Sequence, residues 1–311
     1  MKALEPTPPP AHLSTGAAAY LTDPDRLDYP DTWTDAWTVQ DFRDLTEPLW
    51  CGVNEAIDFA YDAVDDVIAG VPVQRVTVGD ATPGAAVLHL HGGMYCLGSP
   101  VIDLALNAPL ARAADVEIVS VDYRLAPEHP FPAALDDAVA VHRALSDAGI
   151  TTVVFGESAG GGLAAATTLA LRDNGEALPA ALALLSPMLD LTGASDTFAT
   201  LAVHDPDYAN PAHLLEPGAA YAAGTPLDHP LLSPVYADLH GLPPTMVQVG
   251  NREVLLGDSS RFVRRARSAG VDVSFDVQDG GWHNYPIWYG VPEADAAVGR
   301  LAAFVRRELG R

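Results

Sequence analysis

An α/β fold with a mostly parallel sheet covered on both faces by helices is the class this sequence predicts, and three observations carry the prediction. Continuous apolar runs of strand length recur at residues 85–90, 116–121 and 181–185, and such runs mark strands buried on both faces. Segments of helical spacing, residues 133–145 and 158–171, alternate with them, which is the rhythm of right-handed crossovers. The third observation is Gly156-Glu157-Ser158-Ala159-Gly160, a Gly-x-Ser-x-Gly turn fed by an apolar run and leaving into an Ala-rich helix. At 311 residues the chain suits one large domain with an accessory piece, burying roughly three quarters of its unfolded surface.

Taken in order, residues 1–66 carry many Asp residues and Trp33, Trp37 and Trp50. They show two helix-like stretches, 41–50 and 53–69, and no strand alternation. This section is expected to cover the core as an N-terminal cap segment, with the catalytic domain spanning 67–311. Residues 71–78 alternate like an edge strand, and the buried runs at 85–90 and 116–121 follow. The helix 133–145, the strand 152–155, the helix 158–171 and the strand 181–185 continue the rhythm. Between residues 190 and 232 it breaks, with Pro206, Pro211, Pro217, Pro226 and Pro230 dividing short helical pieces. An insertion of this length after a central strand packs over strand ends, so a cap insertion is expected at about 191–232. Strands resume at 245–249 and 271–277, and a helix at 292–309 closes the chain.

The formal charge of -24, from 41 acidic against 17 basic residues, excludes nucleic acid and anionic membrane surfaces as partners. Lys2 is the only lysine. Two readings of this acidity stay open: adaptation to high salt, where screening relaxes self-repulsion, and an Arg-preferring chain with a soluble acidic shell. Cys51 and Cys96 form no metal-type spacing, and a reduced, cytoplasmic setting is expected. No apolar run reaches the ~18 residues of a membrane span, and the Pro-rich residues 1–11 lack a signal region.

Ser158, in the sharp turn, is the candidate nucleophile, but a serine hydroxyl needs a base. In this architecture the partners follow in the order serine, acid, histidine, from loops at the carboxyl ends of strands. His283, in Gly281-Trp282-His283-Asn284, comes after the last strand and before the last helix, and fits the base. Two acids follow the strand 245–249. Glu253 is closest to the strand end and is preferred, whereas Asp258 precedes a helix-like segment and suits an N-cap. The third need is a set of donors for a developing oxyanion. The turn His91-Gly92-Gly93-Met94 follows a buried strand, so this Gly92-Gly93-Met94 loop, chiefly through the N–H groups of Gly93 and Met94, joins Ala159 as the candidate oxyanion hole. His89 and His91 alternate without an evident third ligand, so no metal and no cofactor is expected. Cys96 reads as a small core hydrophobe. Trp282, Tyr285, Trp288 and Tyr289 near the histidine are equally suited to pocket or core.

These residues together resemble a family. His91-Gly92-Gly93-Met94-Tyr95 with Gly98-Ser99, then Asp122-Tyr123-Arg124-Leu125-Ala126-Pro127-Glu128-His129-Pro130-Phe131-Pro132, and Gly156-Glu157-Ser158-Ala159-Gly160-Gly161 are similar to motifs of the hormone-sensitive-lipase-like carboxylesterases, a branch of the α/β-hydrolases. Ser186-Pro187-Met188-Leu189-Asp190 and Gly281-Trp282-His283 extend the likeness over about residues 70–310. The resemblance implies an α/β-hydrolase fold with a mostly parallel eight-stranded sheet and a helical cap. It implies a serine esterase for short or medium acyl esters, near acetylhydrolases and monoterpene lactone hydrolases, with Ser158, an acid after the seventh strand and His283 as its triad. It also implies a possible homodimer through the last strand, 271–277. Two positions depart from the family: Met94 stands where a third glycine is usual, which would let its side chain shape the acyl pocket, and Glu253 stands where Asp is usual. Arg124, Glu128 and Asp136 or Asp137 are expected to brace the loop after residue 121, Glu157 to hydrogen-bond near the serine turn, and Asp190 to turn the chain into the cap. The alternatives are a lactone hydrolase using the same residues, amide hydrolysis, and a non-catalytic ligand-binding member of the fold, which the presence of His283 argues against.

Overall fold

One sheet of eight strands organises the chain in the computed structural model, which describes residues 7–22, 38–208, 210 and 212–311. Lys2, Trp33, Trp37 and Pro211 lie outside the described residues. The strands are β1 (Asp62–Ile68), β2 (Val71–Thr77), β3 (Ala85–Leu90), β4 (Glu117–Val121), β5 (Thr151–Glu157), β6 (Ala181–Leu185), β7 (Thr245–Gly250) and β8 (Val273–Gln278). They lie in the order β1-β2-β4-β3-β5-β6-β7-β8. β2 pairs antiparallel with β1 and β4, and every other pairing is parallel.

The apolar runs became the inner strands because both of their faces are covered. α3 (Leu104–Ala114) and α9 (Pro292–Glu308) pack on one side, and α4 (Ala133–Asp147), α5 (Ala159–Asp173) and α8 (Leu256–Ser268) on the other. Successive strand residues point to opposite faces. Accordingly Val87, Val153 and Phe155 join the first layer, while Leu88, Leu90 and Val154 join the second.

The chain leaves β3 toward β4 on one side, whereas β5 lies on the other. A crevice opens at the carboxyl ends of strands where the winding reverses in this way. The Gly92-Gly93 turn and Ser158 both leave the sheet there, just beyond the paired residues Leu90 and Gly156.

The N-terminal section corrects the sequence reading. Residues 53–69 are not a helix: α2 (Val39–Val53) ends in a 3-10 turn, Asn54–Ala56, and β1 follows at Asp62, so a boundary at residue 67 would cut a strand. β1 is the true edge, and β2 lies one place in. β1 hides neither face, with Val64 59% and Val67 63% exposed, so it never acquired the alternation that reveals a half-buried strand. A two-residue turn at Ala69-Gly70, both at positive φ, joins it to β2, a turn geometry that suits the twist of hairpins.

α1 (Thr15–Thr22) and α2 border the crevice, and the insertion forms α6 (Thr197–Thr200) and α7 (Ala212–Ala222). α1 is tied down by Ser14, whose N–H and Oγ both donate to Glu293, and by Ala17 against Trp282, Tyr285 and Ala297. α2 buries Phe42, and its Arg43 donates to the carbonyls of Cys96 and Ala126 while pairing with Glu128. The anticipated charged network is therefore two separate pairs. Arg124 grips Asp137 through Nε and Nη2, and Glu128 belongs to Arg43. Asp190 does turn the chain toward the cap, accepting from Thr192, Tyr236 and Arg261. Among the described residues no helix is long and apolar enough to cross a membrane.

Candidate active site

The serine turn is built by close approach of backbones. β5 ends at Glu157, α5 begins at Ala159, and Ser158 between them has φ 54° and ψ -121°, a conformation that L side chains rarely adopt and that surrounding structure must impose. A Cβ on Gly156 would lie 2.2 Å from the Gly160 carbonyl oxygen, and one on Gly160 would lie 1.9 Å from that of Leu90. Glycine is therefore required at both places. Gly160→Ala is expected to cost about 3 kcal/mol or more, since its neighbour is backbone that cannot rotate away. Thermal unfolding checks this; a melting temperature equal to wild type would show that the turn yields.

Ser158 Oγ lies 3.0 Å from His283 Nε2, and His283 Nδ1 lies 2.9 Å from Glu253 Oε2. Glu253 leaves its strand through Gly250, whose N–H donates to Oε1 at 2.7 Å, and Ser186 Oγ donates to the same oxygen at 2.7 Å. The carboxylate is fully buried yet carries three donors, and with Oε1 held by Gly250 and Ser186 its other oxygen reaches His283 Nδ1. Asp258 is not at His283, nor is it an N-cap. It sits in the first turn of α8 and accepts the N–H groups of Leu189 and Asp190, fastening the chain after β6. Burial and the neighbouring Asp190 hold its carboxyl well above the usual carboxylate range.

The loop facing the serine divides its three N–H groups. That of Gly92 donates to the Glu157 carboxylate, which removes Gly92 from the candidate oxyanion donors and bears out the expected role of Glu157 beside the turn. Gly93 has φ 107°, and a Cβ there would lie 2.2 Å from the Leu97 carbonyl oxygen. Met94 also has positive φ, 58°, the region a glycine would occupy without strain. Its side chain is 3% exposed and packs in the main core, so it does not shape the pocket wall, contrary to expectation. Cys96 is likewise buried core.

A cavity of about 100 Å³ lies over Ser158 and His283. Trp50 of α2, Ile102, Trp288 and Tyr20 of α1 wall it, and Asp207 and Tyr208 come from the cap insertion. Of the aromatic residues near the histidine, Trp288 faces the cavity, Trp282 and Tyr285 belong to a small core with Ala17, and Tyr289 bonds Asp58 on the outside. Tyr20, Asp205, Asp207 and Tyr208 escaped the sequence reading. Tyr20 stacks on Trp282 at 4.5 Å and donates to Asp207 at 2.6 Å, joining the N-terminal section to the insertion across the cavity mouth. Tyr208 sets its ring edge-on to His283 at 4.9 Å. Asp205 accepts N–H groups from Asp207, Tyr208 and Val254, and burial with nearby Asp207 pushes its carboxyl up to about 7. No spacing links residue 205 to residue 254. Only the Asp-Pro-Asp sequence, which suits a side chain bonding the backbone two residues on, could have drawn notice.

Burial works to lower the pKa of His283, but the bond to Glu253 and the charges of Glu253, Asp205 and Asp207 prevail and raise it. His89 and His91 point to different places. His91 stacks on Tyr123 at 4.1 Å, and His89 meets Glu157 and Asp103, with ligating atoms of the three within 4.8 Å of one another. The sequence offered no such neighbours for His89. A metal there would have to displace the hydrogen bond of 2.9 Å between His89 Nε2 and Glu157.

A strained serine after a central parallel strand, backed by histidine and a carboxylate, defines a hydrolase site on an α/β sheet. A family model for the alpha/beta hydrolase fold matches residues 87–287. An acetyl-hydrolase of Streptomyces hygroscopicus is 38% identical over 290 residues, spanning 86% of this chain and 96% of that protein. An esterase of Acinetobacter venetianus is 38% identical over 245 residues, spanning 76% and 79%. Among solved structures, an esterase from the bacterial hormone-sensitive lipase family shares 37% identity at a TM-score of 0.83, covering 89% of this chain and 94% of that one. The chain belongs to the α/β-hydrolase family, in its hormone-sensitive-lipase-like branch. Like those relatives it is a carboxylic ester hydrolase.

Proposed function

We propose that the protein is a serine carboxylesterase for short acyl esters, working through Ser158, His283 and Glu253. The observation that carries this reading is the unbroken relay from Glu253 Oε2 to His283 Nδ1 at 2.9 Å and from His283 Nε2 to Ser158 Oγ at 3.0 Å. His283 Nε2 takes the proton as Ser158 Oγ attacks the ester carbonyl, and the imidazolium formed is stabilised by Glu253. The N–H groups of Gly93, Met94 and Ala159 receive the oxyanion, a contribution of about 3 to 4 kcal/mol for each such donor. His283 then protonates the departing alcohol. Water, deprotonated by the same nitrogen, cleaves the acyl-enzyme and restores Ser158. The small cavity and its aromatic walls support short acyl groups. Hydrolysis of p-nitrophenyl esters from acetate to decanoate tests the length; a maximum at the long end would refute it.

The base must be neutral to accept a proton, and the pKa of His283 is raised from 6.5. The acid limb of kcat/KM is therefore expected to have its midpoint above 6.5. A pH profile of kcat/KM on a short ester measures this, and a midpoint below 6.5 would mean that the neighbouring carboxylates do not govern His283.

A further inference from the structure

Glu157 immediately precedes the candidate nucleophile, and its buried carboxylate has three neighbours that bear on it. It accepts the Gly92 N–H, lies 2.9 Å from His89 Nε2, and has a carboxyl oxygen of Asp103 within 4.8 Å. Asp103 ends the 3-10 turn Pro100–Asp103 that leads into α3 and is 4% exposed. Its Oδ2 has no hydrogen-bond partner and stands 4.0 Å from His89 Nε2. Both residues are buried at the floor of the cavity over Ser158, and two carboxyl groups sharing one buried site do not both ionise.

The groups that face this pair are His89 from β3, Tyr123 beyond β4, Cys51 from α2, and His283 across Glu157. None is a permanent cation. His89 does not serve as one, since burial lowers its pKa to about 4. Its Nδ1 lies 2.8 Å from Ser120 Oγ and 3.0 Å from the Asn107 amide nitrogen, both able to donate to it, and its Nε2 faces only carboxylate oxygens, so the ring proton belongs on Nε2, directed at Glu157. One proton must therefore reside between the two carboxyls. Because Glu157 already accepts from His89 and Gly92, Asp103 is the group left to donate.

We propose that Asp103 is a positioning residue, whose carboxyl proton, donated to Glu157, fixes the Gly92-Gly93 turn against Ser158. The inference rests on the serine-esterase reading for its catalytic consequence, though not for the location of the proton. Glu157 reaches the turn directly, through the Gly92 N–H, so a Glu157 that shifts carries the Gly93 donor with it. A displacement of about 1 Å at such a donor costs on the order of a hundredfold in rate. As pH rises and the shared proton leaves, two facing carboxylates repel, and the turn loosens. Burial and the neighbouring Glu157 hold the Asp103 carboxyl well above the usual carboxylate range, so the loss is sought on the alkaline side.

The experiment compares wild type, Asp103→Asn and Asp103→Ala. Asn keeps a donor without a titratable proton, and Ala keeps neither. Asp103→Ala is expected to lower kcat by about ten- to a hundredfold on p-nitrophenyl acetate with KM little moved. Asp103→Asn should recover most of that loss and lack the alkaline limb that wild type shows. Equal losses in both variants, or an alkaline limb kept in Asp103→Asn, would overturn the role. Infrared difference spectra of wild type against Asp103→Asn at pH 7 decide the proton without turnover, even where Asp103→Ala does not fold. A carboxylic-acid C=O band in wild type that is absent from the variant is expected, and no such band overturns the proposal. Should Ser158→Ala keep its activity, the esterase reading fails while the infrared result still stands.

Discussion

Ser158→Ala is expected to lower kcat by about four to six decades on p-nitrophenyl acetate while the protein stays folded. The magnitude follows from the relay acting as a unit. Without Oγ, His283 has no nucleophile to deprotonate, and Glu253 holds an imidazole with nothing to do. What survives is binding and the oxyanion donors, which by themselves leave about 10³ to 10⁴ over water in serine hydrolases of other folds. Folding should be spared, because Ser158 Oγ has one bond, to His283 Nε2, and alanine meets the same φ of 54° without added bulk. Circular dichroism and the melting temperature accompany the rate measurement. A loss under tenfold in folded protein would remove Ser158 from the mechanism.

The parts of this site that could be read from the chain are those whose neighbours in sequence are also their neighbours in space. Ser158 is announced by glycines needed within four residues of it, and Gly156 and Gly160 are needed for contacts with the turn itself and with the adjacent strand end. His283 and Glu253 each follow a strand closely, so the order of elements alone brings them to one edge of the sheet. The closing helix was legible because burial on one side, at Ala294, Ala297, Val298, Leu301 and Val305, leaves a periodic mark. Where that mark is missing, legibility fails. β1 is exposed on both faces and its sequence reads as helix, and α1, eight residues long, is held by Glu293 nearly at the other end of the chain. Asp205 and Asp103 escaped on different grounds. Asp205 has local partners in Asp207 and Tyr208, but its bond to Val254 beside Glu253 spans 49 residues, and the neighbours of Asp103, His89 and Glu157, lie on β3 and β5. Met94 shows the opposite error: a residue in a conspicuous position whose side chain turned into the core.

Glu253→Gln is expected to lower kcat by about 10³- to 10⁴-fold with KM nearly unchanged, and Asp258→Asn to leave kcat within about threefold. The amide keeps the volume of Glu253 and can still receive Gly250 N–H or Ser186 Oγ, so the loop should hold. It cannot provide a negative charge beside Nδ1, and one of its two orientations points N–H groups at the imidazole. His283 would then be held with its proton on the wrong nitrogen, and the imidazolium would lose its nearest counter-charge. The pKa of His283 should fall in the same variant, because the Glu253 bond and charge are the leading causes that raise it, and the acid limb of the pH profile should move downward. Asp258→Asn supplies the contrast. Its Oδ2 fastens Leu189 and Asp190 and an amide oxygen can do the same, so its effect should appear in the melting temperature and not in kcat. If Asp258→Asn does the greater damage to kcat at unchanged thermal stability, then the acid that serves His283 in turnover is Asp258, and the loop after β7 must rearrange when substrate binds.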